Sequence, residues 1–321
     1  MTMSVMDMAP QWSSAILAWP AILAQSLIFG SAMLCIALRT HATDRSNPGD
    51  ALARSLRGWW RGLATVVMVL CPLMFVGEVA DMAGVTWWGA LPLLGEVLAQ
   101  TWAGHTWMVR LPAAGALALA AWLPMRDRTR PIALGICSAV IMFCGSLKSH
   151  AIDFGAMSVA LRFVHAVAAA TWVGALFGYW IGARRTALDE REAAAAAATL
   201  SLLATWAVAL LIVSGGYVAW EALGHNPGNL LYSSYGRVLS IKLEAFAVLL
   251  AIGGYSRFVL IPTLDRASSQ RLLIRNVRAE VILIAGVIGV AALLAATPPA
   301  RMAMKLPAAD PPGASAATMA K

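Results

Sequence analysis

The sequence has little charge and lacks the polar surface that a soluble domain needs. Only 12% of its 321 residues are Asp, Glu, Lys or Arg, compared with roughly 25% in a typical soluble domain. Hydrophobic residues make up 60% of the chain, and the mean hydropathy is +0.72. This composition excludes an ordinary soluble protein and indicates a polytopic membrane protein.

Several catalytic signatures are also missing. The four cysteines form no C-x-x-C pair and have no zinc spacing, which argues against a redox motif or a zinc site. The chain shows no phosphate-binding glycine loop, no nucleophile motif, no separate soluble domain and no convincing internal repeat. We therefore expect a protein that is not an enzyme and that does not use ATP directly.

Long apolar runs dominate what is present. About eight stretches are long enough to cross roughly 30 Å of hydrocarbon as helices, so the predicted fold is all-α, a bundle of about eight transmembrane helices. They lie near residues 13–38, 62–83, 108–124, 131–147, 156–181, 200–221, 236–260 and 279–297. Residues 1–300 are predicted to form a single transmembrane domain, and residues 301–321 a disordered external tail.

Only part of the third of these spans is continuously apolar. Its continuous apolar part begins at Leu111, which puts Pro112 in the first turn, where proline is tolerated. The preceding residues 86–107 contain four tryptophans, a residue type that is enriched at membrane interfaces. We expect them to form an interfacial segment.

The net charge of +8 is concentrated in alternate loops. In the eight-helix arrangement, sixteen of the twenty-four Lys and Arg residues fall in the first, third, fifth and seventh loops. The positive-inside rule makes these loops cytoplasmic and places both termini outside. Because the charge does not accompany aromatic platforms on one surface, we expect contact with the lipid bilayer and no binding to nucleic acid.

An arginine and a histidine interrupt the apolar run of the fifth span. Ionisable groups at membrane depth are costly and are functional candidates for that reason. Arg162, His165 and Trp172 follow i, i+3, i+10 spacing, so they share one face of a helix. His165 lies nine residues into its span, about 13 Å at 1.5 Å per residue, near the midplane. The alternative is a structural histidine that hydrogen-bonds to a neighbouring helix.

Three further charged side chains enter the seventh span from the external side, namely Arg237, Lys242 and Glu244. Together with Arg162, they are expected to set the electrostatics around His165. Alternatively, Arg162, Lys242 and Glu244 form a structural set of ion pairs. In the inner half only Glu280 stands out, and its closeness to a cytoplasmic loop predicts that it is solvated.

Soft and borderline ligands predict a path for copper. Met74 and Glu78 share a face of the second span, and Cys144 lies on the fourth, while His105 and His150 lie in or next to external segments. Sulfur ligands select Cu(I), and imidazole suits copper in either oxidation state. These five residues and the midplane histidine are the candidate copper ligands. Cysteine and methionine in apolar helices also serve simply as packing, and that alternative stays open.

Short motifs follow one another in a fixed order over residues 92–300. They are Thr101-x-x-Gly104-x-x-Trp107-x-x-Arg110, His150, His165 with Trp172-Val173-Gly174, Tyr235-Gly236-Arg237-x-x-x-x-Lys242, Arg257 to Pro262, Glu280 and Pro298-Pro299. This ordered set resembles the CopD family of bacterial copper resistance membrane proteins. The sixth span departs from the family's frequent Phe-Ser opening, because it reads Thr199-Leu200-Ser201-Leu202.

The resemblance implies a protein of the bacterial inner membrane that handles copper from the periplasm. It also implies a small copper-binding partner of the CopC type, here a separate protein, and it makes His150 and His165 the natural metal candidates. The leading hypothesis is that copper is transported or accepted at the external face. The rival hypotheses are a membrane b-type cytochrome with histidine haem ligands, and a chaperone or assembly factor that passes copper on without transporting it.

Overall fold

The computed structural model describes residues 12–41, 47–147, 155–184, 190–263 and 267–295. Within these ranges the regular structure is helical and contains no strand, so the predicted all-α class is confirmed. The predicted ligand His150 and the predicted tail at residues 301–321 lie outside the described residues.

The described chain contains eight long helices and three short ones. They are α1 (Trp12–Leu38), α2 (Pro48–Ala83), α3 (Trp87–Ala90), α4 (Leu94–Gln100), α5 (Trp102–Trp122), α6 (Arg130–Leu147), α7 (Ala156–Arg184), α8 (Glu190–Ala222), α9 (Asn229–Tyr232), α10 (Ser234–Tyr255) and α11 (Ala267–Ala295). A π-helical turn at Ser256–Leu260 and a 3-10 turn at Ile261–Thr263 extend α10. Each of the eight predicted spans overlaps one of the long helices.

Seven of the long helices within the described ranges are long and apolar enough to cross a membrane. The exception is α5, which carries His105 and Arg110 in its first half. The expected start of this span was wrong, because the helix begins at Trp102 and Pro112 lies in its interior. Trp107, the last residue of the segment predicted to be interfacial, has a fully buried side chain, and the interfacial depth of that segment stays a prediction.

Helix α1 lies at the centre of the bundle and packs against α2, α6, α7 and α11. Its closest approach is to α7, where Gly30 faces Gly174. A Cβ atom at either position would overlap backbone atoms of the other helix. Small residues at such a crossing let two helices pack backbone to backbone inside a membrane. This contact fixes the position of α7, the helix that carries Arg162 and His165.

Two of the arginine-rich loops, the first and the third, meet at one end of the bundle. Arg57 reaches Asp127 at 2.7 Å, and Arg130, whose side chain is 2% exposed, lies 3.7 Å from the same carboxylate. Arg39 pairs with Asp50 at 3.1 Å and also donates to the Asp127 carbonyl oxygen at 2.9 Å. The first and third predicted loops therefore lie on the same side, as the eight-span arrangement requires. That this side is cytoplasmic stays a prediction.

We expect Gly174→Ala to destabilise the protein by about 1–3 kcal/mol, the usual cost of overpacking a well-packed core. The added methyl group would overlap the Ser26 carbonyl oxygen and the backbone of Gly30. The matched control is Gly145→Ala on α6, where a Cβ atom meets open space. Thermal unfolding of the two purified variants in detergent measures the difference, and equal melting temperatures would contradict the tight crossing.

Candidate functional site

His165 of α7 is held by the neighbouring helix α8. Its Nδ1 lies 3.2 Å from Ser214 Oγ, and Ser214 itself donates to the Leu210 carbonyl oxygen at 2.5 Å. Because the hydroxyl proton is used in that bond, the oxygen of Ser214 accepts the Nδ1–H of His165. The lone pair of the imidazole then lies on Nε2, the atom that can bind a metal. Gly215 packs against the same ring, with the position of a Cβ atom 3.1 Å from Cε1.

The structural alternative for His165 is thus correct in part. The imidazole does hydrogen-bond to the neighbouring helix α8, through Nδ1 to Ser214 and with the backbone of Leu211. A second-shell partner of this kind fixes the ring orientation and tautomer of metal-binding histidines. The hydrogen bond to Ser214 therefore leaves the coordinating role of Nε2 open.

Helices α7 and α10 run in the same direction, because each is antiparallel to α8. Ser158, near the start of α7, contacts Tyr217, near the end of α8. At the opposite end of the bundle, Arg257 just beyond α10 donates to the carbonyl oxygen of Ser201, in the first half of α8. Depths along α7 and α10 can therefore be compared directly.

A ring contact sets the register between α7 and α10. Trp172 and Phe246 meet edge to face with 5.9 Å between ring centroids. Lys242 lies one turn before Phe246, about 6 Å nearer the start of its helix, and His165 lies two turns before Trp172, about 10 Å nearer. Lys242 and His165 therefore face the same space between the two helices, and they interact electrostatically.

Arg162 completes a cationic cluster, which we define as Arg162, His165 and Lys242. It lies about 15 Å before Trp172 along α7, level with Tyr235 on α10, and the guanidinium interacts electrostatically with that tyrosine and with Lys242. The three residues of the cluster are partly buried, and the Tyr235 side chain is 7% exposed. Positive charge thus surrounds the one imidazole that the described chain places inside the bundle.

No described carboxylate pairs with the cationic cluster. The ion pairs among the described residues lie elsewhere, and Glu244 is exposed because it lies two residues from Lys242 and so on another face of α10. The alternative in which Arg162, Lys242 and Glu244 form a structural set of ion pairs is therefore wrong. A bare copper cation at Nε2 would meet repulsion from two cations.

The predicted ligands on α2 and α5 lie in another environment. Glu78 Oε2 accepts the indole N–H of Trp107 at 3.0 Å, and the guanidinium of Arg110 lies 4.6 Å from the Trp107 ring centroid. Met74 is partly buried and packs against the main core. His105 is exposed, with Nε2 3.2 Å from the Ala99 carbonyl oxygen.

Among the described residues, no group of three or more His, Cys, Asp and Glu side chains could hold a metal ion. Cys144 is buried in α6, with 3% of its surface exposed. The structure therefore brings Arg162, His165 and Lys242 together, with Trp172 two turns deeper. It does not gather the predicted His, Glu and Cys ligands into one cluster.

Two helices of the chain begin with the same pattern, which the sequence analysis missed. At α5 the Thr101 hydroxyl caps the Gly104 N–H at 2.9 Å, and at α10 the Ser233 hydroxyl caps the Gly236 N–H at the same distance. Each glycine packs directly on the backbone of the short helix before it, α4 or α9, with no room for a Cβ atom. The sequence does contain a signal for this recurrence. Each helix starts with Thr/Ser-x-x-Gly, and a cationic residue, Arg110 or Lys242, follows six residues after the glycine.

Glu280 is not solvated, so that expectation was wrong. Its side chain is 2% exposed, because α10 covers it where the π-helical turn begins. Ser256 Oγ donates to the carboxylate at 3.4 Å, and Asn276 donates to Ser256 at 3.4 Å. Closeness to a loop along the chain did not predict this burial, which comes from the packing of α10 on α11.

Known families match both halves of the chain. Residues 7–157 match Copper resistance protein D-like, N-terminal domain, and residues 194–294 match Copper resistance protein D. The chain belongs to the CopD family. No curated protein and no solved structure matches this CopD protein. The two family matches confirm the resemblance that the short motifs indicate.

The matched ranges of this CopD protein leave most of α7 between them. Glu78 and Trp107 lie in the first range, and Lys242 and Glu280 lie in the second. Arg162 and His165 lie in neither. The candidate role of His165 therefore rests on its position and its hydrogen bond to Ser214, independently of the family match.

We expect Glu78→Ala to destabilise this CopD protein by about 1–3 kcal/mol, because the buried indole N–H of Trp107 loses its acceptor. Glu78→Gln keeps an acceptor oxygen and should melt close to the unsubstituted protein. Thermal unfolding compares the two variants, and copper stoichiometry of Glu78→Gln tests the ligand role separately. Equal destabilisation by both substitutions would show that the negative charge, and not the hydrogen bond, stabilises this region.

Proposed function

We propose that this CopD protein binds copper at its external half and transports it or accepts it there. The observation that carries the proposal is His165, whose Nδ1 is held by Ser214 and whose Nε2 is left to coordinate. A histidine fixed in this way, inside a bundle of a copper resistance family, is a pre-organised copper ligand.

The remaining candidate residues have assigned parts in this proposal. His105 and His150 receive copper at the external face, and Met74, Glu78 and Cys144 are further ligands along the second and fourth spans. Arg162 and Lys242 of the cationic cluster shape the electrostatics and packing around His165, together with Arg237, Glu244 and Trp172. The protein carries copper as cargo in the bacterial inner membrane and performs no enzymatic reaction.

The proposed partner is a separate periplasmic copper-binding protein of the CopC type. Such a protein would deliver copper to the external face, where the exposed imidazole of His105 lies. Transfer between ligands of similar chemistry needs no redox step. Copper uptake into vesicles that contain only this protein distinguishes a transporter from a chaperone. A transporter moves copper into the vesicles, whereas a chaperone that passes copper to another protein does not.

We expect the purified protein to bind about one copper ion per chain and the His150→Ala, His165→Ala double variant to bind none. The reason is that the double variant removes both the external and the buried imidazole of the proposed path. Equilibrium dialysis with metal analysis of the protein measures the stoichiometry.

His225→Ala is the matched control, because His225 lies in an external loop and its imidazole is already paired with Glu221 at 3.0 Å. Unchanged stoichiometry in the double variant would overturn the assignment. A Soret band in the purified, unsubstituted protein would instead support the cytochrome hypothesis.

A further inference from the structure

We propose that a small monovalent anion of the halide class binds between α7 and α10, held by Arg162 and Lys242. This site goes beyond copper handling, because the anion is bound by the metal-free protein. The described chain supplies the two cations of this site and no carboxylate that pairs with them.

The two cations carry an energetic cost. A charged side chain inside a bilayer costs several kcal/mol unless it is paired or reaches water. The side chains of Arg162 and Lys242 are partly buried and lie on facing helices. The two cations also interact with each other electrostatically. None of the ion pairs among the described residues includes either of them.

Among the residues that the structure describes, no carboxylate pairs with either cation. Glu244 is the nearest along α10, yet it is exposed on a different face. Glu280 lies at the opposite end of α10, beside Ser256, and accepts the hydroxyl of that residue. An anion from outside the chain is therefore the charge that fits between Arg162 and Lys242.

The surroundings of the site favour a compact anion of single charge. Along α7, Arg162 and His165 lie between two contacts: Ser158 with Tyr217 of α8, whose hydroxyls are 3.5 Å apart, and Trp172 with Phe246 of α10, at 5.9 Å between ring centroids. Tyr235 of α10 lies level with Arg162 of α7 and interacts with it. Its hydroxyl group is therefore a neutral hydrogen-bond donor close to the two cations. A compact anion of single charge loses less hydration here than a divalent oxyanion does.

The anion has a consequence for His165. With its charge in place, the net positive charge next to Nε2 falls, and repulsion of a cation at that nitrogen falls with it. The anion site therefore prepares the imidazole for copper, although its occupancy does not depend on copper. Tests in metal-free protein keep the two proposals separate.

The experiment is equilibrium dialysis of the purified, metal-free protein against radiolabelled chloride, with sodium gluconate used to hold the ionic strength constant. We expect saturable binding of about one chloride per chain. Lys242→Gln and Arg162→Gln should each weaken it at least tenfold, whereas Lys242→Arg, which keeps the positive charge, should retain binding.

The matched control is Arg278→Gln, which removes one positive charge from an exposed position on α11. It should bind chloride like the unsubstituted protein. Absence of saturable chloride binding in the unsubstituted protein would overturn the proposal without reference to any variant. Equal loss in Arg278→Gln and Lys242→Gln would also overturn it, and so would displacement of chloride by an equal concentration of inorganic phosphate.

Discussion

The cost of placing charge in hydrocarbon is the constraint on which the rest of this structure depends. It forces Arg162, His165 and Lys242 to face other helices instead of lipid. The glycine crossing between α1 and α7 then fixes where that face points, because Gly30 and Gly174 bring the two backbones into direct contact. The imidazole consequently meets α8 and α10, and the hydroxyl of Ser214 determines which of its nitrogens stays available.

Much of the architecture could be predicted from the sequence because membrane thickness sets the length of a span. The eight long helices and the shared face of Arg162, His165 and Trp172 follow from apolar length and helical period. The register between helices could not be predicted this way. Ser214 lies 49 residues from His165 in the chain, and no local pattern indicates that these two side chains meet.

The motif before the third span shows how a family pattern can be structural. Thr101 caps the helix, Gly104 allows it to pack on α4, and Trp107 is buried with its indole bound to Glu78. The copper ligand predicted at Glu78 therefore already has a hydrogen-bonding role. Because the same start recurs at α10, the cation of each pattern, Arg110 or Lys242, enters the bundle at a comparable depth.

Glu280 shows the limit of arguments from position along the chain. Its nearness to a loop suggested solvation, but packing of α10 against α11 buries it beside the π-helical turn. Burial of a polar group depends on which helix covers it, and a single sequence does not contain that information. The same limit applies to the cationic cluster, whose members come from two helices that are far apart in sequence.

The central claim is that Nε2 of His165 coordinates copper while Nδ1 remains bound to Ser214. The most direct measurement is a structure of the copper-loaded protein with anomalous data collected at the copper edge. We expect a copper peak at bonding distance from Nε2, with the hydrogen bond to Ser214 unchanged. A fully occupied copper site elsewhere in the protein, with no peak at His165, would contradict it.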